Sequence, residues 1–563
     1  MRRACLSLLL AASCAAPAPP EPAAPAPAPP PPPPPPPVVI EGRPAKPPTF
    51  TPLAVRTDGK KSAGLAVLEE EVATAIKALR QAKPPAHYLA YSVIDEAKTE
   101  ISARDGGLVA SYSTRRRRLH TDVRVGDRKL DSSHDRNAVH HRAIELPLDD
   151  DPQVIRSLAW RQTHERYWQA VALFQKLEKA GTRPDAQGDF SETQPVVHLE
   201  PPVALKVDAT AWEGRLRRLS ARLKAAKLDG AIQFEAAATN RWLLTSEGTV
   251  VQAGTPVARV LVSAGGLEQG FEAATAAELP SEAELGKVIE ALASDARAAS
   301  KAAPAERWSG PVLFQPQAAA LLAHDLLGHH LEGQRLADDK DAQLLAAKLG
   351  QPLFPPFFTV IDDPTIARLG TRLLTGAYAV DDEGVPAERV TLIEGGVLRG
   401  LLLDRRPVPG FPRSNGHARR GEWRGVFPRQ SNLVVSPTHA LDVDELKKRL
   451  VELAKRQGKD HGLLVRDADG IFEWNTDPPR FGLRLVRAQR VFTDGRPDQP
   501  VRGAVVTGKP QEIFAHLVAA SDDYQAVTFG CYGDSGLAPG SATSPSLLFD
   551  ALEIQPSQHW LDR

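Results

Sequence analysis

The most informative segment of this chain reads His324-Asp325-Leu326-Leu327-Gly328-His329-His330-Leu331-Glu332-Gly333. It continues an apolar, helix-forming run, and it places three histidines and two carboxylates within nine residues. So many polar and charged side chains are costly in a hydrophobic core. Imidazole is a good ligand for zinc and related divalent ions, and a carboxylate directly after the first histidine is typical of zinc peptidases. The segment therefore predicts a helix with a metal site.

The spacing of the outer histidines does not fit a regular helix. In the common zinc-peptidase arrangement the two histidines are four residues apart and share one face. His324 and His329 are five apart, which separates them by about 140° around the axis at 3.6 residues per turn. A single π turn has a five-residue hydrogen-bond period and would realign them, and Gly328 supplies backbone freedom for it. We therefore predict a distortion of the helix at Gly328.

The N-terminus has the pattern of an export signal followed by a spacer. Arg2 and Arg3 precede a short apolar run, and residues 10–14 resemble a bacterial lipobox in which Cys14 would carry the lipid. Simple secretion and an apolar start without a targeting role are the alternatives. From Pro17 to Pro37 the chain is almost entirely proline and alanine, which predicts a semi-rigid polyproline arm. We expect a protein of the cell envelope or periplasm, anchored through Cys14.

One cysteine stands apart from this leader. Of the three cysteines, Cys5 and Cys14 belong to the signal, so only Cys531 lies in the folded body. In an exported protein a lone thiol is exposed to oxidation, and it is therefore either buried and inert or bound to a metal. Both interpretations remain open from the residues alone.

Charge and hydropathy exclude some classes of function. The 563 residues include 69 Lys+Arg and 69 Asp+Glu, so the formal net charge is zero and no overall field attracts nucleic acid. No apolar run reaches 18 residues, which argues against a transmembrane helix. The length and the 42% hydrophobic content allow two to four domains with a substantial core.

Hydrophobic periodicity predicts an α+β fold. Helices are expected at about 65–79, 151–180, 210–227, 281–301 and 441–456, with a Ser281/Glu284 capping box on the fourth. Short β-rich segments are expected from 87 to 128, strands from 231 to 262, a buried strand at 310–314, and mostly β structure beyond 350. The fold is thus an N-terminal mixed α/β region followed by a largely antiparallel β C-terminal domain with the metal-binding helix at its start.

The same pattern suggests where the chain divides. The predicted units are an export signal at 1–14, an Ala/Pro-rich linker at 15–48, an N-terminal α/β domain at 49–205, a central α/β segment at 206–309 and a C-terminal domain at 310–563. Within the last unit the acidic run 381–383 is predicted to form a turn before Gly384. Arg419, Arg420 and Arg429 would either anchor a peptide or pair with acidic groups of the protein itself.

The segment around His324 resembles the signature of the TldD/PmbA family of metallopeptidases. TldD members read His-Glu-x-x-Gly-His-x-Leu-Glu-Gly, so this chain differs by having Asp325 at the glutamate. Other segments resemble family motifs in the expected order: DDEGVP at 381–386, NGHARR at 415–420, PRQSNL at 428–433 and FGCYGD at 529–534. The last is similar to the family segment that supplies a cysteine ligand. The resemblance is clear from about Gly230 to Ile554.

This resemblance implies a site. His324, His329 and Cys531 would bind one zinc ion per chain and leave a fourth position open. Asp325 would accept a proton from the attacking water and pass it to the leaving amine. Because Asp is one methylene shorter than Glu, its carboxylate is withdrawn, and misplacement by about 1 Å can cost on the order of a hundredfold in rate. Glu332 would help as a base or would orient a ligand.

His330 is expected to be solvated or to lie behind the ligands, since a fourth protein ligand would close the site. Two functions are consistent with these residues. One is a zinc-dependent peptidase of the cell envelope that hydrolyses short or unfolded peptides. The other is a catalytically weak or inactive relative that binds peptides or serves as a partner subunit, because Asp325 departs from the pattern. The resemblance also implies a homodimer, or a heterodimer with a PmbA-like subunit. We expect no nucleic-acid partner.

Overall fold

The computed structural model describes residues 42–136, 142–184, 187–338, 343, 345, 347–421, 425–473 and 480–557, with side chains left out at 471–473 and 480–481. These residues all belong to one compact unit. The export signal, Cys14 and most of the predicted linker lie outside the described residues, so those expectations stay predictions.

Helices form close to where the apolar periodicity predicts them. The longer ones are Ala63–Leu79, Pro152–Lys179, Ala209–Ala225, Glu282–Ser300, Pro316–Ala323 and Val443–Arg456, and the short ones are Ala276–Glu278, Arg335–Asp338 and Pro510–Phe514. The capping box is present, because Ser281 and Glu284 each accept the other's backbone N–H. Within the described residues, none of the helices combines the length and apolar character that a membrane crossing requires.

A seven-stranded sheet occupies the N-terminal half. Its strands lie in the order Ile144–Glu145, Gly107–Val125, Ala86–Arg104, Gly230–Thr245, Val250–Ala264 and Val197–Leu199, with Leu267–Ala273 paired to Val250–Ala264. The β structure expected between 87 and 128 is confirmed and forms a hairpin, but each of its strands is 19 residues long rather than short. Because Ala86–Arg104 is hydrogen-bonded on both sides, the sheet tolerates polar residues that interrupt the alternation in the sequence.

Helices pack against this sheet in two hydrophobic clusters. One packs Ala63–Leu79 and Pro152–Lys179 against the strands, and the other packs Ala209–Ala225 and Glu282–Ser300 farther along the same strands. The sheet draws strands from both sides of the boundary predicted at residues 205–206. The division of the chain into domains stays a prediction.

Two further large sheets, of eight and six strands, build the C-terminal half. The first runs Ala303–Pro304, Gln499–Arg502, Arg480–Phe492, His461–Glu473, Trp308–Phe314, Leu547–Pro556 and Ala504–Thr507, with Leu517–Ala520 paired to Leu547–Pro556. The second runs Val397–Leu398, Val390–Glu394, Phe358–Asp362, Asn432–Pro437, Gly536–Ser544 and Gln525–Gly533. Most of the pairs are antiparallel, so the predicted fold class is confirmed.

Three small sheets complete the described strands: Arg43–Pro44 with His439–Ala440, Phe50–Pro52 with Ile366–Leu369 and Arg372–Leu373, and Ala418–Arg420 with Val426–Pro428. The helix Pro316–Ala323 contacts strands of both large sheets. Its Ala319, Leu322 and Ala323 are fully buried in the largest hydrophobic cluster. This packing fixes the position of the histidines that follow.

Candidate metal centre

The helix that carries the histidines changes form at His324. Residues Pro316–Ala323 are α-helical, His324–Gly328 form a π turn, and His329–Leu331 form a 3-10 turn. The N–H of His329 donates to the carbonyl of His324, which is the five-residue bond of a π turn. The predicted distortion is confirmed. It places the His324 and His329 rings 4.9 Å apart, centroid to centroid.

Gly328 has a different role from the one that the sequence suggested. Its φ of −56° and ψ of −50° are ordinary α-helical values, so no backbone freedom special to glycine is used. A Cβ at this position would instead overlap the side-chain amide of Gln430. A larger residue at 328 would therefore have to displace this buried amide, which lies directly against the π turn.

Cys531 reaches the histidines from the strand Gln525–Gly533. Its Sγ lies 3.3 Å from Nε2 of His329. One ligand atom from each of His324, His329 and Cys531 lies within 4.8 Å of the others, and in the described part of the chain this is the group with metal-binding geometry. Two imidazoles and a thiol that converge without a fourth protein ligand suit a divalent metal ion with an open position. The structure thus brings together the three predicted ligands, and His330 is outside the group.

Both histidines are held through Nδ1. Nδ1 of His324 lies 3.0 Å from Oε1 of Gln430, and Nδ1 of His329 lies 3.2 Å from Oε1 of Glu332. A ring nitrogen that donates its hydrogen to such an oxygen leaves the other nitrogen with a free electron pair. The two Nε2 atoms are therefore the ligand atoms that this arrangement presents to a metal.

A buried arginine joins Cys531 to Glu332. Nη2 of Arg429 donates to the carbonyl oxygen and to Sγ of Cys531 at 2.8 and 2.9 Å, and Nε lies 3.3 Å from Oε1 of Glu332. A Cβ on Gly533 would come within 3 Å of the guanidinium, so a larger residue there would have to displace Arg429. Of the two roles left open for Arg429, the structure shows pairing within the protein.

Glu332 has contacts that fit one of its two expected roles. It is fully buried, Oε1 faces His329 and Arg429, and Oε2 accepts a hydrogen bond from Gln334 at 3.1 Å. Burial alone raises the pKa of its carboxyl, but the charges of His329 and Arg429 lower it to about 2. A carboxylate of such low basicity is a poor proton acceptor. The contact of Oε1 with Nδ1 of His329 fits the expected role of orienting that ligand.

The pKa values of the ligands follow from the same charges. Burial raises the pKa of the Cys531 thiol, but His329 and Arg429 outweigh it and the net shift is downward. This favours the thiolate, which is the form that binds metals. Burial lowers the pKa of His324 and so favours a neutral imidazole, whereas Cys531 and Glu332 raise the pKa of His329 despite its burial. Metal binding must displace any proton that His329 carries.

Asp325 lies beside the ligand nitrogen of His324. Its Oδ1 is 3.6 Å from Nε2 of His324, while Oδ2 is buried without a hydrogen-bond partner. A Cβ on Gly470 would overlap Oδ2, so this oxygen packs against the backbone of the strand His461–Glu473. Burial raises the pKa of Asp325 to about 6, and the electrostatic interaction with His324 opposes the shift. Asp325, the predicted base, thus lies within contact distance of His324, and its Oδ1 faces the site.

The other predicted groups lie farther along the C-terminal half. Asp381 accepts the backbone N–H groups of Glu383 and Val385 at 2.9 and 2.8 Å, and Gly384 has a φ of 83°. The turn predicted at 381–384 is confirmed. Arg419 lies 3.7 Å from a carboxylate oxygen of Asp382 and also pairs within the protein.

Gln430 was absent from the site residues that the sequence predicted. The available signal was its place in the family-like segment 428–433, next to Arg429. That signal does not say what Gln430 touches, because its partner His324 is 106 positions away.

The π-distorted helix, the facing cysteine strand and the open donor set define an α+β protein with a candidate metal centre. Residues 308–556 match the family described as the PmbA/TldA metallopeptidase C-terminal domain. The chain is 28% identical to a metalloprotease of Methanothermobacter thermautotrophicus over 237 residues, 42% of this chain and 48% of that protein. It is 25% identical to a metalloprotease TldD homolog of Haemophilus influenzae over 259 residues, 43% of this chain and 48% of that protein. The chain spans about half the length of these curated relatives.

Solved structures extend the likeness beyond this domain. TldE from Thermococcus kodakarensis has a TM-score of 0.61 at 16% identity, covering 87% of this chain and all of that one. A putative modulator of a DNA gyrase from Thermotoga maritima has a TM-score of 0.59 at 15% identity, covering 86% of this chain and 99% of that one. At such identities the likeness shows the fold. Residues 308–556 thus resemble the C-terminal domain of the PmbA/TldA metallopeptidases, and the relatives that the chain matches there are named metalloproteases.

Proposed function

We propose that this protein is a zinc-dependent peptidase that hydrolyses short or unfolded peptides. The observation that carries the proposal is the convergence of His324, His329 and Cys531 within 4.8 Å, with both Nδ1 atoms already engaged. Zinc bound by this donor set would polarise a scissile carbonyl and lower the pKa of a water molecule. The names of the relatives as metalloproteases support the same reading.

The chain's own residues supply the proton transfers. Asp325 is the carboxylate that faces the ligand nitrogen of His324, so it is placed to accept a proton from the attacking water and to donate it to the leaving amine. Glu332 and Arg429 hold their ligands and take no part in this transfer. Three protein ligands leave room for the substrate carbonyl at the fourth position.

The position of Cys531 supports an extended substrate. Its strand, Gln525–Gly533, is at the edge of the second large sheet, and in the described chain it pairs on one side only, with Gly536–Ser544. An edge strand offers backbone N–H and C=O groups to an extended peptide, and this mode of binding is independent of side-chain sequence. A folded protein presents few such segments, which favours short or unfolded peptides.

Hydrolysis of a fluorogenic unstructured peptide by the zinc-loaded full chain tests the proposal. Asp325→Asn keeps the size of the side chain and removes the base, so we expect a loss of about 100-fold or more in kcat. Asp325→Glu restores the longer carboxylate and is expected to raise kcat. Glu268→Gln, a change of the same kind at a surface pair with Ser263, is the control and should leave the rate unchanged.

A second function is favoured by one specific observation. Oδ2 of Asp325 is turned toward Gly470 and is buried without a hydrogen-bond partner, so only one oxygen faces the site. A carboxylate withdrawn in this way suits a catalytically weak relative that binds peptides or supports a partner subunit. Equal rates for the wild type and Asp325→Asn, with peptide binding intact, would select this function over the first.

The location and partners are part of the proposal. A lipid anchor at Cys14 would hold the protein on the cell envelope, with the polyproline arm as a spacer. Labelling with a radioactive fatty acid, lost in Cys14→Ser, tests the anchor. Light scattering of the purified chain tests a homodimer, and co-purification with a co-expressed PmbA-like subunit tests a heterodimer.

A further inference from the structure

The side-chain amide of Gln430 clamps His324 at two atoms. Its Nε2 donates to the backbone carbonyl of His324 at 3.2 Å, and its Oε1 lies 3.0 Å from Nδ1 of the same residue. Both side chains are buried, with 2% and 6% of their surface exposed. Two contacts from one planar group fix the ring of His324 relative to its own backbone.

The clamp also decides which nitrogen of His324 carries hydrogen. A backbone carbonyl can only accept, so the amide NH₂ of Gln430 must face it and Oε1 must face the ring. Oε1 is an acceptor, and the neighbouring Nδ1 must then be the protonated nitrogen. Nε2 is left with the free electron pair, and it is the nitrogen on the side of Asp325.

Gly328 is an independent sign of the same arrangement. A Cβ there would overlap Oε1, Nε2 and the amide carbon between them. The π turn brings this glycine against the amide, so a larger residue at 328 would displace Gln430. This overlap by itself explains why residue 328 is a glycine.

The preceding residue, Arg429, contacts a different ligand of the centre. Arg429 donates to Sγ of Cys531 and pairs with Glu332, which in turn accepts from His329. The adjacent side chains of Gln430 and Arg429 thus contact His324 and Cys531 directly. Arg429 reaches the third ligand, His329, through Glu332. The segment lies just before the strand Asn432–Pro437, which is paired on both sides within the second large sheet.

We propose that Gln430 is a positioning residue that holds His324 in the tautomer and orientation needed to bind the metal, with Gly328 as the space that admits its amide. This inference rests on the proposed zinc site and deepens it. It predicts that metal affinity depends on a residue that does not touch the metal. Loss of a contact of this kind typically weakens metal binding about 10- to 100-fold.

The test is zinc affinity of the full chain by competition with a coloured chelator, together with the absorption spectrum of the cobalt(II)-loaded protein. Gln430→Met keeps the length of the side chain and removes both hydrogen bonds, and we expect zinc binding to weaken about 10- to 100-fold and the cobalt spectrum to change. Gln162→Met is the matched control, because Gln162 is equally buried and donates to a backbone carbonyl far from the centre. It should lower the melting temperature without changing either metal readout.

A double-mutant cycle separates the clamp from a general loss of packing. Gly328→Ala alone should weaken zinc binding about as much as Gln430→Met, since the new Cβ displaces the amide. In a Gln430→Ala background the same substitution has room, and it should cost little more. Additive effects, or wild-type affinity and spectrum in both Gly328→Ala and Gln430→Met, would overturn the proposal.

The outcomes distinguish this inference from the proposed function. Zinc affinity that depends on Gln430 in a protein that cleaves no peptide would leave the clamp standing and remove the peptidase. A wild-type chain that binds no zinc would overturn both. Peptide cleavage that is unaffected by Gln430→Met at saturating and at limiting zinc would remove the clamp alone.

Discussion

Two groups of buried charge in this protein differ in what they leave unpaired. The ligand cluster consists of His324, His329, Glu332, Arg429 and Cys531. The Arg405 cluster consists of Arg128, Glu247, Glu383 and Arg405, and it joins a turn of the N-terminal sheet to the C-terminal half. Each contains an arginine with no exposed surface.

In the Arg405 cluster the N–H groups of Arg405 donate hydrogen bonds to oxygen acceptors. Arg405 donates to Glu247 at 2.6 and 3.0 Å and to the carbonyl of Ser191, and its backbone N–H donates to Glu383. In the ligand cluster, two imidazole nitrogens and one sulfur instead turn their electron pairs toward one point. Buried charge alone therefore does not identify a site. The convergence of unshared electron pairs does.

Removing a ligand should have the largest effect. Cys531→Ser keeps the shape of the side chain but replaces the thiolate by a poor zinc ligand. We expect about one zinc per wild-type chain and almost none in the variant, as measured by elemental analysis after gel filtration. Ser544→Ala, at the other end of the same hairpin, where the hydroxyl donates to the carbonyl of Pro545, should keep its zinc. Full zinc content in Cys531→Ser would place the metal elsewhere.

Disrupting the Arg405 cluster should lower the free energy of unfolding and leave the metal in place. Arg405→Met removes a fully buried arginine and leaves the partly buried Glu247 with Arg128 as its remaining arginine partner. Loss of one member of a buried pair typically costs about 3–5 kcal/mol, and the remaining partner makes this an upper bound. Urea denaturation followed by circular dichroism measures the change in the free energy of unfolding. The control is Arg368→Met, which breaks a partly exposed pair with Glu278 and should cost under about 1 kcal/mol.

The same Arg405→Met protein also tests whether the clusters are independent. Its folded fraction should bind as much zinc as the wild type, because none of the ligand contacts involves Arg405 in the described structure. A loss of zinc at unchanged folded fraction would show that the two clusters are coupled.

Metal removal should link the ligand cluster to stability. A ligand present at 100 times its dissociation constant stabilises the folded state by about 2.7 kcal/mol. The melting temperature of the wild type should therefore fall when a chelator is added and recover with zinc. In Cys531→Ser it should respond to neither, and an equal response would mean that zinc stabilises the fold from another site.

A half-exposed pair should show the smallest effect. The hydrogen bond from Nδ1 of His516 to Asp550, at 2.8 Å, raises the pKa of His516 above 6.5 against the effect of burial. A raised pKa contributes stability below the unfolded value, and this is lost as the pH rises through the folded value. The side chain is 43% exposed, so the contribution is under about 1 kcal/mol.

The measurement compares the free energy of unfolding at about pH 6 and about pH 8. The wild type should lose slightly more stability over this interval than His516→Gln. An identical pH dependence would show that the pair of His516 and Asp550 contributes nothing to stability. The difference in stability between buried and exposed charged pairs would then be larger.

The amino-acid sequence by itself determined the helices, the α+β class and the need for a π turn. Apolar spacing places Pro152–Lys179 and Glu282–Ser300 within a few residues, and the five-residue interval from His324 to His329 requires the distortion whatever surrounds it. These properties are local, because they depend on neighbours within one or two turns of the backbone.

Only the tertiary structure decided the contacts between distant segments. The sequence names Gly328 and Arg429 but not their partners, and it leaves Glu332 with two roles and Gln430 with none. These assignments depend on how the strand Asn432–Pro437 and the hairpin of Cys531 pack beside the helix. The physical reason is that sheet register and helix packing set which side chains meet, and that choice is made by the whole core rather than by the residues of the site.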